Sequence, residues 1–446
     1  MSLAELAASI VRQACALGAH DAECTISEGE EFSAGVRMGE VESLKQASSR
    51  GAGLRILIGN HTGSSYTSDL SPAGLEHLAR AALELAEVTT EDPFAGLPEA
   101  SELGSIDRDL ELYQADVEAL ATGDKIAMAK QAEAAAFATD LRITNSEGAS
   151  FGTHLGTRAF ANSRGFSGQY RTSYCSLSAV PIAQQNGNME RDYWYSTARA
   201  FARLESPEYV GRRAAERVIR RLGAVKVETQ RVPVIFEPRV ARSLVGHVFS
   251  AVDGRGIYRK SSFLADRLGQ QIAGPNVTII DDGTIPGLFG SSPFDDEGVP
   301  TRRTVVVESG ILRSYLLNTY AARKLGLAST GNASRGITGN AGVGHGNIYL
   351  VAGERTPEQL IGGVSNGFFV TELIGSGVNL STGDYSCGAA GLWIRGGELA
   401  FAVSEVTIAS TLQQMLLGLE AASDLEFRGS VASPTVFVQE MTVAGK

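Results

Sequence analysis

The chain has 446 residues, of which 43% are hydrophobic and 20% charged, an ordinary composition for a globular protein with room for a sizeable core. Its net charge of −11 argues against direct nucleic-acid binding, because an acidic protein repels the phosphate backbone unless it carries a local basic patch. No segment reaches the roughly 18 uninterrupted apolar residues of a membrane span, so we expect no membrane insertion.

Helix and strand signals alternate in the first part of the chain. Residues 2–18 predict an amphipathic helix with Ser2 as N-cap, and they lack the basic leader and apolar run of a secretory signal. Alternating segments from "EFSAGVRMG" to "TGSSYTSDL" then predict an antiparallel meander. Residues 71–89 predict a second helix capped by Ser71, and the Pro-, Gly- and Glu-rich residues 91–105 predict a linker.

The next segment is helical at both ends. The alanine-rich residues 116–140 predict a helix, residues 141–200 predict long strands, and residues 206–223 predict another helix. The stretch "RRAAERVIRR" (212–221) places four arginines on one helix face, which we interpret as a solvated surface rather than a nucleic-acid site. These arginines are Arg213, Arg217, Arg220 and Arg221.

The pattern predicts an α+β fold with a domain boundary near residue 225. We expect residues 1–225 to form an N-terminal α+β domain with antiparallel meanders, either as one unit or as two units with a break near 91–110. Residues 226–446 are Gly-rich with short strands, which predicts a β-rich domain of sheet layers or a distorted barrel. The helices expected in this second half are 238–252, 319–325, 356–363 and 407–419.

The histidines and cysteines provide no local metal motif. None of the six histidines is followed by glutamate and no two lie within ten residues, which excludes a His-Glu-His motif on one helix. A metal site could only be assembled from distant ligands such as His247 and Cys387, whereas a lone histidine in an apolar helix is usually packed and hydrogen-bonded. The four cysteines form no CxxC pair, and we expect reduced thiols and a cytoplasmic location.

Two segments are candidates for contact with a peptide. The loop "FDDEGVP" (294–300) has adjacent carboxylates that can bind a cation or a peptide amino terminus, or can equally belong to a solvated loop. Residues 378–398 predict a Gly-rich turn followed by a hairpin, where an extended peptide can pair by strand addition. The candidate substrate-binding residues are Asp295, Asp296, Glu297, Asn379, Thr382, Asp384 and Tyr385.

Three long segments closely resemble the TldD/PmbA family. They are "VGHVFSAVDGRGIYRKSSFLADRLGQQI", "SSPFDDEGVPTRRTVVVESGILRSYLLNTYAARKLGLASTGN" and "VTELIGSGVNLSTGDYSCGAAGLWIRGGELAFAVSEVTIA". The resemblance is densest from about residue 230 to the end and extends more weakly over the N-terminal half. It implies a C-terminal domain equivalent to the metalloprotease domain of a sister subunit.

The resemblance implies a two-subunit cytosolic zinc protease that processes or degrades extended peptides, such as a microcin leader or an antitoxin. The TldD-like sister subunit carries a His-Glu-x-x-x-His motif on a helix, with a cysteine nearer its C-terminus as a further zinc ligand. In this chain the closest match to that motif is "GHVFSA", Gly246 to Ala251. His247 remains, the glutamate is missing, and Ala251 or a near neighbour stands where the second histidine would fall.

The metal ligands therefore do not carry over residue by residue, and Cys387 is not clearly at the position of the sister's cysteine. Without the carboxylate no general base would activate a metal-bound water. We expect a non-catalytic subunit without catalytic residues, metal or other cofactor, with zinc only in the sister subunit. Its expected partners are that TldD-like subunit and extended peptides, and we expect a homodimer when the chain is alone.

Two alternatives remain open at this point. The chain could be a peptidase in its own right with an atypical site, in which His247 would hold a metal. It could also be a regulatory binding protein that acts on a toxin–gyrase system, because members of the family carry the label "modulator of DNA gyrase".

Overall fold

The computed structural model describes residues 1–375 and 377–446. None of its helices is long and apolar enough to cross a membrane. The helices are α1 (Leu3–Ala16), α2 (Pro72–Val88), α3 (Ala115–Glu118), α4 (Thr122–Thr139), α5 (Pro207–Ile219), α6 (Pro238–Val252), α7 (Gly254–Tyr258), α8 (Thr319–Leu325), α9 (Pro357–Gly362) and α10 (Leu412–Leu417).

Serine caps determine where three of these helices begin. The Ser2 side chain accepts a hydrogen bond from the backbone N–H of Glu5, whose carboxylate accepts from Ser2 N–H in return. The Ser71 side chain accepts from the Gly74 N–H at the start of α2, and the Ser206 side chain accepts from the Tyr209 N–H at the start of α5. Each of these serines is followed by proline at the first helical position. The predicted starts of these helices are confirmed.

Long antiparallel strands form one sheet in the N-terminal half, in the order β3-β2-β1-β4-β5-β6, with β7 paired to β5. Buried side chains of α1 and α2 pack against β1 and β2, and those of α4 and α5 pack against β4 and β5. The strands are β1 (Asp21–Arg37), β2 (Glu40–Ile58), β3 (His61–Thr67), β4 (Ile143–Asn162), β5 (Ser167–Gln185), β6 (Asn188–Arg191) and β7 (Trp194–Ala198).

Small residues allow α4 and α5 to approach closely. A Cβ atom at Gly211 would lie 2.0 Å from the carbonyl oxygen of Ala132, so only glycine fits at this contact. The turn between β5 and β6 also needs glycine, because Asn186 and Gly187 both have positive φ, as a tight hairpin turn requires.

The described residues of the C-terminal half form three sheets. The pairings β8–β21–β18–β17–β15–β8 close on themselves, so this sheet is a distorted barrel, with β16 and β19 at its margins. A five-stranded sheet has the order β11-β10-β9-β14-β20, and β12 pairs with β13. The α+β fold and the β-rich C-terminal half are confirmed. The strands are β8 (Gln230–Phe236), β9 (Ile279–Asp282), β10 (Arg303–Glu308), β11 (Ile311–Leu312), β12 (Ala333–Ser334), β13 (Gly342–Val343), β14 (Asn347–Leu350), β15 (Asn366–Ile374), β16 (Val378–Asn379), β17 (Asp384–Arg395), β18 (Glu398–Thr411), β19 (Leu419–Ala421), β20 (Val431–Ala432) and β21 (Val436–Ala444).

Two predicted helices differ from the structure. Residues 407–411 belong to strand β18, because they pair with β17 and β21, and only Leu412–Leu417 is helical. The predicted helix 116–140 is divided into α3 and α4, with an interruption that precedes the helix-weakening Gly123. In the first case tertiary strand pairing overrides the local helical pattern.

Candidate functional site

The segment that resembles the sister subunit's metal-binding helix forms α6. Pro238 occupies the first turn and Asp253 ends the helix, where its carboxylate caps α7 through the Arg255 N–H at 2.8 Å. The apolar residues of α6, Leu244 and Val248 among them, join one buried cluster with side chains of β8, β17 and the five-stranded sheet. The core therefore fixes which face of α6 is turned toward β17.

His247 lies at the edge of this buried face. It is half-buried, and its ring makes an edge-to-face contact with Tyr385 on β17, with 6.1 Å between ring centroids. Cys387 lies two residues further along the same strand and therefore on the same face of the sheet. The structure thus brings His247 of α6 against Tyr385 of β17, which is far from it in sequence, and Cys387 lies on the same face of that strand.

Tyr385 is nearly completely buried, at 1% exposure, and its hydroxyl has no hydrogen-bond partner among the described residues. Burial raises the pKa of this phenol, and the neighbouring Cys387 raises it further. The hydroxyl is therefore a neutral donor at physiological pH. Partial burial lowers the pKa of His247, so the imidazole is neutral there as well.

We expect stability to depend on pH through His247. Its pKa is lower in the folded than in the unfolded chain, so the unfolded chain binds the proton more readily. Above about pH 6.5 the imidazole is neutral in both states, so His247 should not lower the free energy of unfolding. Below that pH the free energy of unfolding should fall until the pH reaches the pKa of His247 in the folded chain. Urea unfolding at pH 8 and pH 5 should show a smaller loss for His247→Gln than for the natural chain.

The exposed His77 on α2 is the matched control for this measurement. His77→Gln should keep the pH dependence of the natural chain, because His77 lies on the exposed surface of α2, away from the packing of α6 on β17. An equal loss of stability between pH 8 and pH 5 in His247→Gln and the natural chain would contradict the assignment.

The donor set around α6 does not fit a catalytic zinc centre, which needs three nitrogen, sulfur or oxygen ligands. Val248, Ala251 and Val252, the positions nearest to the missing glutamate and histidine, are buried in the hydrophobic core. Within residues 1–375 and 377–446, no group of three or more His, Cys, Asp or Glu side chains is arranged to hold a metal ion. We derive no catalytic step through a metal in this chain.

The predicted contact residues of the 378–386 turn lie at the end of the barrel sheet. Asn379, Thr382 and Asp384 are exposed, and the Thr382 hydroxyl donates to the Asp384 carboxylate at 2.5 Å. Tyr385 is instead buried against His247. β16 pairs only with β17 among the described strands.

The carboxylates of the 294–300 loop are already hydrogen-bonded within the fold. Asp295 accepts from the backbone N–H groups of Glu297 and Val299, at 2.9 and 3.0 Å, and Glu297 accepts from the N–H of Thr319 at 2.9 Å. Asp296 forms an ion pair with Arg158 of β4 at 2.8 Å. Burial, and then the charge of Glu297, raise the pKa of Asp295.

No hydrogen bond or ion pair in the described part of the chain joins this loop to the 378–386 turn. The two predicted contact regions are therefore separate features. The loop connects the C-terminal half to β4, whereas the turn packs on residues 261–263, where the Phe263 N–H donates to the Leu380 carbonyl at 2.8 Å.

The local sequence pattern did not predict an arginine cluster that lies at the junction of the two halves. Arg217 is buried, at 2% side-chain exposure, and donates to both oxygens of Glu237 at 2.8 and 2.9 Å. The prediction of a solvated face on α5 is therefore wrong for Arg217. A signal was available, because Arg217 directly precedes Val218 and follows Ala214 by three positions, within the apolar stripe of α5.

Burial would lower the pKa of Arg217, but the hydrogen bonds and charges of Glu237 and Asp192 outweigh it and raise the pKa. Burial would raise the pKa of Glu237, and Arg217 first, then Arg220 and Arg239, lower it. Both groups are therefore charged in the folded protein, and the cluster carries full charges at this junction.

Family models match three parts of the chain. They are described as PmbA/TldA metallopeptidase domain 1 at residues 22–86, central domain at residues 115–222 and C-terminal domain at residues 229–445. The chain is 40% identical over 428 residues to a protein named metalloprotease PmbA from Escherichia coli O157:H7, covering 95% of this chain and 92% of that one.

Two further proteins are similar over most of the chain. A metalloprotease TldD homolog from Haemophilus influenzae is 26% identical over 354 residues, which cover 75% of this chain and 71% of that one. A crystal structure of a putative modulator of DNA gyrase from Bacteroides thetaiotaomicron has a TM-score of 0.92 and 28% identity, covering 99% of this chain and 98% of that one.

The fold and these matches define an α+β protein of the metallopeptidase-related class. More narrowly, the chain belongs to the TldD/PmbA family over nearly its full length.

Proposed function

We propose that this chain is a non-catalytic, metal-free subunit that works with a TldD-like, zinc-bearing sister subunit on extended peptides. One observation carries the proposal: α6 offers a single imidazole, that of His247, toward β17. Hydrolysis at a zinc centre needs three protein ligands and a base for the bound water. The family membership supports the link to proteolysis.

The carboxylates closest to His247 along the chain support the same proposal. Asp253 follows α6, but its oxygens accept from the Arg255 backbone N–H at 2.8 Å and from the Arg255 guanidinium at 2.7 Å. At the other end of the helix, Glu237 is bound by Arg217 and Arg220. Neither carboxylate is free to act as a general base.

The role proposed for this subunit is to hold the substrate and to complete the chamber in which the sister subunit cuts. Asn379, Thr382 and Asp384 are exposed in or beside β16, which has β17 as its one strand partner among the described residues. A strand with one partner supports pairing with an extended peptide by strand addition. The internal bonds of the 294–300 loop make that loop the weaker of the two candidates.

We further propose that the chain acts in the cytoplasm and forms a homodimer when the sister subunit is absent. The thiols of Cys15, Cys24, Cys175 and Cys387 are all free, which is typical of proteins in reducing compartments. Without its partner, a large contact surface tends to associate with a second copy.

A three-way peptidase assay tests the proposal. This chain, a TldD-like sister subunit and their mixture are incubated with an unfolded peptide, with and without a chelator. We expect cleavage only in the mixture of the two subunits. This cleavage should be lost when the chelator is added, and it should survive the substitution His247→Ala in this chain. Cleavage by this chain alone, abolished by the chelator, would refute the proposal.

Metal analysis of the purified chain separates the proposal from its main alternative. We expect well under one zinc per chain, unchanged by His247→Ala. Stoichiometric zinc that is lost on His247→Ala would instead favour a peptidase with an atypical site built on His247, Tyr385 and Cys387.

A further inference from the structure

A cavity of about 270 Å³ lies where β7 and α5 meet the start of α6 and residues 424–433. Its lining has two more positive than negative side chains, and a partly buried excess of positive charge favours an anionic ligand. The charged side chains are Arg213, Arg217, Arg239, Arg242, Arg428, Glu237, Asp424 and Glu426.

The three carboxylates in the lining are already paired within the protein. Glu237 accepts two hydrogen bonds from Arg217, at 2.8 and 2.9 Å. Asp424 accepts from the backbone and the hydroxyl of Thr435, both at 2.8 Å. Glu426 pairs with Arg428 at 3.0 Å. These acids balance particular neighbours, and acids outside the lining pair with Arg213, Arg239 and Arg428.

Arg242 is the cation that lacks such a partner. It lies in the second turn of α6, and its guanidinium donates to the Tyr195 hydroxyl at 3.0 Å. Among the described residues no carboxylate oxygen lies within 4.0 Å of it. A guanidinium has five N–H donors, so most of those of Arg242 are available to a ligand.

The start of α6 adds partial positive charge to the same cavity. Pro238, the first residue of this 15-residue helix, lines the cavity, and the side chain of the N-cap residue Glu237 does not cap the helix. Glu237 is instead held by Arg217 and Arg220. The uncapped helix end carries partial positive charge, which also favours an anion.

The rest of the lining indicates which anion fits. Trp194, Tyr195 and Tyr209 provide aromatic surface beside the arginines, which suits an apolar side chain attached to the anionic group. One available guanidinium matches a carboxylate in a two-pronged contact, whereas a phosphate with three acceptor oxygens would require further donors. The volume is at the lower end for ligand pockets, which suits a single terminal residue.

We propose that this cavity binds the C-terminal residue of a peptide, with its carboxylate on Arg242 and its side chain against Trp194 and Tyr209. The inference rests on the proposed function, because it assumes that peptides are the ligands. It adds an anchor for one end of the peptide at the start of α6.

Direct binding to the full chain tests the inference. The probes are N-acetyl-leucyl-leucine and its C-terminal amide. Their binding is measured by isothermal titration calorimetry and by the fluorescence of Trp194. The fluorescence is recorded in a Trp393→Phe background, because the chain has two tryptophans. We expect saturable binding of the acid and about tenfold weaker binding of the amide, because the amide lacks the charge-assisted contact.

Arg242→Gln should weaken binding of the acid about tenfold and leave binding of the amide unchanged. The matched control is Arg231→Gln, an exposed arginine of β8 paired with Glu440 at 2.7 Å, which should bind the acid like the natural chain. Thermal unfolding shows whether each variant is folded. If Arg242→Gln is not folded, the comparison of the acid and the amide on the natural chain still tests whether binding needs the carboxylate.

Equal affinity for acid and amide would overturn the inference, as would acid binding that is unaffected in a folded Arg242→Gln variant. Inorganic phosphate that displaces the acid more effectively than acetate does would overturn the assignment to a carboxylate. The measurement uses this chain alone, so it is independent of the three-way peptidase assay. Failure here with cleavage in the mixture would remove the anchor and leave the proposed function in place.

Discussion

Arg335→Met is expected to lower the free energy of unfolding by about 3–5 kcal/mol, the usual cost of removing one partner from a buried ion pair. Arg335 directly follows β12, and its guanidinium donates to Glu23 at 2.6 Å and to Thr25 at 3.0 Å, both on β1. Arg55 of β2 also donates to Glu23, at 2.8 Å. Glu23 has no exposed surface.

The charges around Glu23 explain why the loss should be large. Burial would raise the pKa of Glu23, and the charges of Arg335 and then Arg55 lower it. Burial, and then the charge of Glu23, raise the pKa of Glu297. Without Arg335, two buried acids would share the single guanidinium of Arg55, and Glu23 would lose the cation that contributes most to keeping it ionised.

Urea unfolding followed by circular dichroism measures this loss. Arg80→Met is the matched control, because Arg80 is exposed and pairs with Glu76 on the surface of α2. We expect it to change stability by less than about 0.5 kcal/mol. The double variant Arg335→Met with Glu23→Gln should recover part of the loss, since it removes the unbalanced charge. A loss below about 1 kcal/mol in Arg335→Met would contradict the prediction.

Glu237→Gln is expected to destabilise the protein by about 3 kcal/mol, since it leaves buried guanidinium groups without their main counter-charge. Glu237 accepts from Arg217 and from Arg220, at 3.1 Å for the latter. Asp192, 3.3 Å from Arg217, would be the only remaining acid within reach of that side chain in the described residues. Removal of the Glu237 charge should weaken the contact between α5 and the start of α6.

The matched control is Glu440→Gln, whose partner Arg231 is exposed. We expect its urea midpoint to stay close to that of the natural chain, because a solvated pair contributes little. The ring centroid of Trp194 lies 5.6 Å from the guanidinium carbon of Arg217. The fluorescence of Trp194 should therefore also change in Glu237→Gln. An unchanged midpoint in Glu237→Gln would mean that water or another acid replaces the carboxylate.

The sequence predicted α6 to the residue, together with the serine-capped starts of α1, α2 and α5, because the signals for these helices lie within a few positions of one another. The absence of the sister subunit's metal ligands from this chain rests on residue identity alone, and it stays a prediction. The helix expected at 407–419 was wrong because β17 and β21, which pair with residues 407–411, are distant in sequence.

The partners of charged side chains depended on the tertiary structure. Arg335 and Glu23 are separated by 312 positions, and Arg217 and Glu237 belong to different helical segments, so no local pattern could pair them. The adjacent acids Asp295, Asp296 and Glu297 looked like one group, yet each has a different partner.

The amino-acid sequence by itself determined the bounds of α6, the starts of the serine-capped helices, the alternation of the long strands and membership of the TldD/PmbA family. Capping, side-chain period and residue identity are properties of short stretches. Only the tertiary structure decided that Tyr385 lies against His247, that Arg217 is buried and that Arg242 lines a cavity without an acidic partner. Burial and charge pairing are set by which distant segments pack together, and that packing arises only when the whole chain folds.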